Sequence, residues 1–341
     1  ATTGADGRFR IAGLGRDRIA DLAVAGPTIA RTEVLAMTRD EPEIRTVERA
    51  MARPLIVHSP RFEVAAPPTR PIEGTIRDAE SGEPIVGMEI RGMVFDDSSL
   101  VYAEGVKATT DEQGRFTLTG LAHGPAYRLE FIPPRGSAYL RSSRKVDAAE
   151  PTGPVTFEYA MRRGAIVRGR VVEKGTGRPV VGKAEVAVFS DAPLEDYPGS
   201  FAGNMPSAEL DDEGRFEIVT LPARGLLLIR GDAILYRGAR DYESIPGYVK
   251  QGRSGYFDAR PQIVAPHGYH AVVEIHPDRA ADPRPIEVEV DPGATVALRA
   301  VDPDGQPVGG TTVKGLSELF PTSSQPVATA EFQVHGLDPS E

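Results

Sequence analysis

The chain has 341 residues, with 39 Lys and Arg against 49 Asp and Glu, and its formal charge of -10 argues against a nucleic-acid footprint. It has no Cys, which excludes disulfides, thiolate metal sites and a cysteine nucleophile, and no apolar run long enough to span a membrane. Its 36 Gly and 30 Pro point to many turns, as in sandwiches and barrels, rather than to long helices.

In chain order, the first element is a phrase, Gly7-Arg8-Phe9, followed by Ile11 and Leu14. The segment 38–50 comes nearest to a helical period, and Pro42 weakens it. Residues 60–71 (PRFEVAAPPTRP) read as an extended linker, because the prolines near its end restrict the chain to polyproline-like conformations. An alternating run, Ile72 to Ile76, then leads into a turn, Gly82-Glu-Pro84-x-x-Gly87, and a second run, Met88 to Val94. The opening phrase returns as Asp111-x-x-Gly114-Arg115-Phe116 with Leu118 and Leu121, where Asp and Gly suit a turn and the apolar residues face one core. Tyr127, Leu129 and Phe131 continue with period two, and Phe157, Tyr159 and Met161 form a last strand.

The same order then repeats. Ile166 to Val172 precedes Gly177-Arg-Pro179-x-x-Gly182 and Ala184 to Val188. Asp211-x-x-Gly214-Arg215-Phe216 follows with Ile218 and Leu221, then the run Leu226 to Ile229. A third start has Val296 to Val301, Gly305-Gln-Pro307-x-x-Gly310 and Thr311 to Val313. Its second phrase is worn to Phe332, Val334 and Leu337, with Ala330 at the glycine position. The expected organisation is a tandem array: 1–70, the C-terminal part of a repeat plus linker; 71–163, a complete repeat; 164–292, a complete repeat with insertions at 191–207 and 232–262; and 293–341, the N-terminal part of a repeat. The fold class is all-β, as tandem Greek-key sandwiches. The chain reads as a piece of a longer protein, with neighbouring repeats held at a limited range of angles by short linkers.

The paired phrases resemble the carboxypeptidase regulatory-like domain. The resemblance rests on Gly74, Asp78, Gly82, Pro84, Gly87, Asp111, Gly114, Phe116, Gly120 and Leu121, and on Gly169, Gly177, Pro179, Gly182, Asp211, Gly214, Phe216 and Leu221. It implies a seven-stranded, transthyretin-like β-sandwich. The wider layout looks like large multidomain proteins of planctomycete-type bacteria. By analogy the domain is accessory rather than catalytic, and its setting extracytoplasmic, in the periplasm or at the cell surface.

Function is expected where the repeats differ. The insertion at 232–262 interleaves Tyr236, Tyr242, Tyr248 and Tyr256 with Arg237, Arg240, Arg253 and Arg260. Tyr and Arg together suit a protein contact or stacking on a sugar face. The alternative is a long loop that packs its own tyrosines onto the sandwich. His267, His270 and His276 have a spacing that, on a straight strand, is too long for one metal. The acidic turns make Asp211 and Asp212 the strongest of weak calcium candidates, since turn chemistry already explains Asp there. The arginines at 8–18 (Arg8, Arg10, Arg16, Arg18) form a local positive patch that reads as a solvated hairpin face. Ser98, Ser99, Ser142 and Ser143 lie in no nucleophile-elbow context. The expectation is a non-catalytic stalk or protein-interaction array needing no cofactor, with a carbohydrate-binding module as the alternative and an enzyme domain as a residual.

Overall fold

The computed structural model describes residues 1–41, 45–49, 52–96, 99–148, 153–200, 205–232, 235–252, 254–279, 283–315 and 324–337. Among them the regular elements are strands and three single 3-10 turns. The chain divides into two compact units, Ala1–Ser137 with Arg141–Met161, and Ala138–Leu140 with Arg162–Glu341.

In the first unit, β1 (Ile19–Gly26), β2 (Ile29–Met37), β3 (Arg45–Arg49) and β4 (Ala52–His58) form one sheet in the order β1-β2-β4-β3. The part of 38–50 that leans toward a helix in sequence is therefore a strand at Arg45–Arg49, while 42–44 and 50 lie outside the described residues. Seven strands follow: β5 (Ile72–Asp78), β6 (Glu89–Asp96), β7 (Ser99–Thr109), β8 (Arg115–Leu118), β9 (Ala126–Ile132), β10 (Ser142–Asp147) and β11 (Val155–Met161). They make a four-stranded sheet, β10-β9-β6-β7, and a three-stranded sheet, β11-β5-β8. β5 is the centre of the smaller sheet, antiparallel to β8 and parallel to β11. Parallel pairing of neighbours requires a crossover, here the whole of the second sheet, which gives the sandwich its Greek-key character. Alternate residues from both sheets, among them Ile72, Ile76, Leu118, Leu129 and Phe131, are fully buried, as is Leu121 after β8. Each contributes about 1.5–3 kcal/mol by burial. The linker at 60–71 is pinned: Pro68 bridges Ile29, and Thr69 bridges Ala122. The Thr69 hydroxyl accepts from Gly120 N–H (2.7 Å) and donates to the Leu121 carbonyl (3.1 Å).

In the second unit the strands are β12 (Ala165–Glu173), β13 (Gly182–Phe189), β14 (Ser207–Glu209), β15 (Arg215–Thr220), β16 (Gly225–Gly231), β17 (Tyr248–Gln251), β18 (Ser254–Phe257), β19 (Ala259–Arg260), β20 (Ala271–Ile275) and β21 (Ile286–Val290). The sandwich of the first unit recurs. The smaller sheet is β15-β12-β21, with β21 parallel to β12, and the larger is β14-β13-β16-β20. The additional strands β17, β18 and β19 all belong to the insertion at 232–262. The last strands are β22 (Ala294–Arg299), β23 (Thr311–Lys314), β24 (Ser324–Val327) and β25 (Glu331–Leu337), paired as β22-β25 and β23-β24.

The two recurrent phrases are one structural unit. Within the first phrase, Pro84 bridges Arg77, Pro179 bridges Val172 and Pro307 bridges Val301. The second phrase docks beside it: Ile76 N–H donates to the Gly114 carbonyl, Val171 N–H to that of Gly214, and Ala300 N–H to that of Ala330, each at 2.8 Å. Gly114 (φ 72°) and Gly214 (φ 75°) are left-handed. A Cβ on Gly114 would stand 2.5 Å from the Ile76 carbonyl and 3.0 Å from Pro84, and one on Gly214 would press into the Val171 carbonyl. Only glycine meets both demands. Gly74 and Gly169 likewise leave the room in which the rings of Phe116 and Phe216 lie across the strand. In the last copy Leu298 pairs with Phe332 at this register, and no such room is left.

Candidate functional site

The insertion at 232–262 starts where β16 ends and packs inward. Tyr236 is buried against Val180, Ile229 and Val290, with its ring edge-on to His270 at 5.8 Å. Burial, then the neighbouring Glu173 carboxylate, pushes its phenol above the usual tyrosine range. Arg237 turns toward the start of the last copy. Its N–H donates to the Asp291 carbonyl (2.9 Å), and its guanidinium lies 3.5 Å from the Asp291 carboxylate. The same carboxylate accepts from Gly293 N–H at 2.8 Å, and Gly336 N–H donates to the Pro292 carbonyl at 3.1 Å. The Arg237 carbonyl lies 3.0 Å from His270 Nδ1, so the residue is held from both sides.

Farther along, the chain makes a 3-10 turn at Tyr242–Ser244 and the β17–β18 hairpin. Tyr242 and Tyr248 contact each other at 5.5 Å, and Tyr248 contacts the fully buried Phe257 at 5.4 Å. They pack on a small apolar core of Phe189, Leu226, Leu228, Phe257, Val264 and Tyr269. Gly255 lets the Tyr248 ring lie flat across the hairpin, since a Cβ there would fall on the phenol. Arg224 stacks over Phe189 at 3.9 Å, donates to Glu274 at 2.6 Å and also reaches the Pro246 carbonyl, tying β16 to the insertion. Tyr256 is half-buried opposite the exposed Val249. Arg253 lies outside the described residues. Of the residues singled out by sequence, Tyr236 joins the main core of the second complete copy, Arg237 faces the junction with the last copy, and Tyr242 and Tyr248 pack in a second core. Tyr256 sits on the hairpin.

The other insertion behaves similarly. It makes a 3-10 turn at Leu194–Asp196, after which Tyr197 is buried with Leu140, Val188 and Leu221. The Tyr197 hydroxyl donates to the Arg163 carbonyl (2.9 Å), and Asp196 lies 3.6 Å from Arg162. Gly164 N–H donates to the Ala138 carbonyl at 2.7 Å. Residues 201–204 of this insertion lie outside the described residues.

The acidic turns are occupied by their own backbone. One carboxylate oxygen of Asp211 accepts from Glu213 N–H (3.0 Å) and Arg215 N–H (2.7 Å). Asp111 and Asp302 repeat the arrangement, and Asp212 is exposed. Among the described residues no group of three or more His, Cys, Asp or Glu side chains is placed to hold a metal ion. His267 lies in a 3-10 turn, His270 is buried, and His276 is exposed beside Glu274. Ser142 is buried against the Tyr159 hydroxyl, Ser143 accepts from Arg128, and Ser98 lies outside the described residues.

Charged and titratable groups, Glu173 and His270 among them, sit in the sandwich wall of this unit. Glu173, almost fully buried, receives Arg178 Nη2 on both oxygens at 2.8 Å, and the Thr176 hydroxyl on one. The Arg178 hydrogen bonds hold its carboxyl below the usual range. Burial pushes the His270 imidazole below its ordinary value, opposed by its contact with the Arg237 carbonyl. Its Nε2 is buried without a side-chain partner. Glu173 stands where Asp78 stands in the first complete copy: each N–H donates across the turn, to Arg178 and Glu83 respectively. This buried acid at the foot of the turn is a feature the sequence marks only as an Asp in one copy and a Glu in the other.

No family model matches the chain, and no curated protein matches it. Solved structures similar to it include a streptococcal ancillary pilin, at 15% identity over 79% of this chain and 72% of that one, with a TM-score of 0.28. Another is the Bacillus anthracis TIE protein, at 12% identity over 93% of this chain and 50% of that one, with a TM-score of 0.23. A third is the shaft pilin SpaA from Lactobacillus rhamnosus GG, at 11% identity over 66% of this chain and 98% of that one, with a TM-score of 0.24.

Proposed function

We propose that the chain is a non-catalytic structural array of carboxypeptidase regulatory-like sandwiches, in which the 232–262 insertion of the second complete copy stiffens the junction to the last copy. The observation that carries this reading is that the 232–262 insertion places a side chain on the start of the last copy: Arg237 reaches Asp291 through its N–H and its guanidinium. A loop whose tyrosines face a core and whose arginine faces a linker suits the transmission of geometry better than the capture of a free ligand. The same reading makes the chain a stalk or spacer within a larger bacterial protein outside the cytoplasm, a setting that follows from the resemblance and that cell fractionation tests. Hydrogen exchange tests the junction itself. Arg237→Ala is expected to raise exchange at Gly293 while leaving the amides of β13 and β16 protected. Unchanged exchange at Gly293 would remove the support for the reading.

A glycan or protein contact is the second reading, and the β17–β18 hairpin favours it, since Val249 is exposed directly opposite Tyr256. A glycan array probed with the wild-type chain and with Tyr256→Ala tests it. Binding lost in the variant supports this reading, and no binding by the wild type rejects the glycan form of it.

A further inference from the structure

Arg237 is held from two sides. On one, its N–H donates to the Asp291 carbonyl (2.9 Å) and its guanidinium lies 3.5 Å from the Asp291 carboxylate, which accepts from Gly293 N–H (2.8 Å). On the other, its carbonyl lies 3.0 Å from His270 Nδ1. The backbone of the last copy comes close here. A Cβ on Gly293 would press into the Arg237 side chain at 2.7 Å, and one on Gly336 would stand 3.0 Å from the Tyr236 carbonyl. A path of hydrogen bonds thus runs from His270, through one residue, to the start of the last copy.

The partners fix the tautomer of the ring. A carbonyl only accepts, so the neutral imidazole carries its proton on Nδ1 and leaves Nε2 bare. Nε2 is buried and has no hydrogen-bond partner among the described residues. The backbone around the ring is also tied down. His270 N–H donates to the Ile229 carbonyl (2.8 Å), Ala239 N–H donates to the Tyr269 carbonyl (2.7 Å), and the Tyr236 ring stands edge-on at 5.8 Å. A second proton can go only to Nε2, where it becomes a buried donor without an acceptor on a charged ring.

The charges nearby do not relieve this. From β16, Arg230 disfavours a charged ring and the Gly231 carbonyl favours it. From the insertion, the Arg237 carbonyl and Asp232 favour it, while burial keeps the Tyr236 phenol neutral. Glu173 and Arg178 face Tyr236 and are paired with each other. Burial outweighs the favourable partners, so this packing holds the neutral ring.

We propose that His270 is an acid-released latch on the junction: the neutral ring clamps Arg237 in place, and a proton on Nε2 drives residues 236–239 off the end of β16, withdraws Arg237 from Asp291 and frees the last copy. The proposal rests on the junction reading and adds its control by pH. In the released arrangement the ring reaches water and takes up its proton at the ordinary histidine value of about 6.5, whereas the clamped ring does so only at lower pH. The clamped arrangement therefore binds fewer protons. It is fully favoured above about pH 6.5 and weakens as pH falls below that value. Between about pH 6.5 and about pH 5 the ratio of released to clamped chains rises by about 30-fold at most.

Spin labels at Glu217→Cys on β15 and Thr312→Cys on β23, read by pulsed electron paramagnetic resonance at about pH 7.5 and about pH 5, test the latch. The expected result is a narrow distance distribution at the higher pH that broadens at the lower and narrows again on return, with the amides of β13 and β16 protected throughout. His270→Asn offers an amide N–H to the Arg237 carbonyl without a titrating group, and it should stay narrow at both. His335→Asn, on β25, should leave the response intact. A wild type that is narrow at both pH values overturns the latch and leaves the junction reading standing, whereas one already broad at the higher pH removes both. Acid broadening in a folded His270→Asn chain also overturns the latch. If that variant is broad at both pH values, the ring 15N resonances of the wild type decide. The His270 titration must share its midpoint with the broadening, and a different midpoint overturns the latch.

Discussion

Gly214 and Gly177 both have positive φ, 75° and 68°, yet they stand in different surroundings. A Cβ at Gly177 would meet nothing within 4 Å, whereas one at Gly214 would press into the Val171 carbonyl and approach Val180 N at 3.3 Å and Pro179 at 3.4 Å. Alanine at either position incurs the left-handed cost of about 1–2 kcal/mol. At Gly214 the first phrase must also move away from the second, which adds about 1–3 kcal/mol, typical of overpacking against a rigid neighbour. Gly177→Ala is therefore expected to cost about 1–2 kcal/mol and Gly214→Ala about 2–5 kcal/mol. At about 2–4 °C per kcal/mol for a domain of this size, the melting temperature of the second unit falls by about 2–8 °C in the first case and roughly twice as much in the second. Calorimetry of the full chain measures both, and amide exchange at Val171, the donor to the Gly214 carbonyl, locates the loss. Equal falls for the two substitutions, or an unchanged Val171 amide in Gly214→Ala, would refute the claim that the two phrases are one packed unit.

The repeated phenylalanine gives a second contrast: Phe216→Ala should cost about 3–5 kcal/mol by emptying a core position, and Phe9→Ala less than about 1 kcal/mol, both read by denaturant titration. Acid should weaken the second unit in two stages. His270 takes up a proton near 6.5 when unfolded but only at lower pH when folded, so its contribution is complete above about pH 6.5 and declines as pH falls below it. Glu173, held below 4.5 by Arg178, adds stability that is present above about pH 4.5 and lost as pH drops through the folded value. Melting temperature followed from about pH 8 down to about pH 2 should show both stages, and His270→Phe should remove the earlier one; a flat profile between about pH 7 and about pH 5 in the wild type would contradict the assignment. Tyr197→Phe should speed exchange of the Gly164 amide by about tenfold at most, the effect of one hydrogen bond of about 1 kcal/mol.

The sandwich was legible because its turns demand particular residues. Gly114, Gly214, Pro84 and Pro179 are set by left-handed backbone and by close approach, and both demands appear as spacing in the sequence. The alternating runs gave β5, β6, β9, β11 and β12 for the same reason: one buried face imposes period two. The insertions were less legible. Tyr236 and Tyr256 are alike as letters, but Tyr236 is buried against His270 and Tyr256 lies on a hairpin, a difference produced by strands distant in sequence. The pinning of the linker by Thr69, and the role of Arg237 at Asp291, also depend on contacts that no local pattern encodes. Glu173 escaped notice because a buried carboxylate is recognised only by its partner, and Arg178 is one of many surface arginines.

A junction held by the insertion fixes the angle between the second complete copy and the last one. The sequence has no cysteine, so spin labels can be placed at Glu217→Cys on β15 and Thr312→Cys on β23, both exposed. Pulsed electron paramagnetic resonance should then give a single narrow distance distribution, broadened markedly by Arg237→Ala with Asp291→Ala. A broad distribution in the wild-type background, or one that the double substitution leaves unchanged, would contradict a junction held by the insertion.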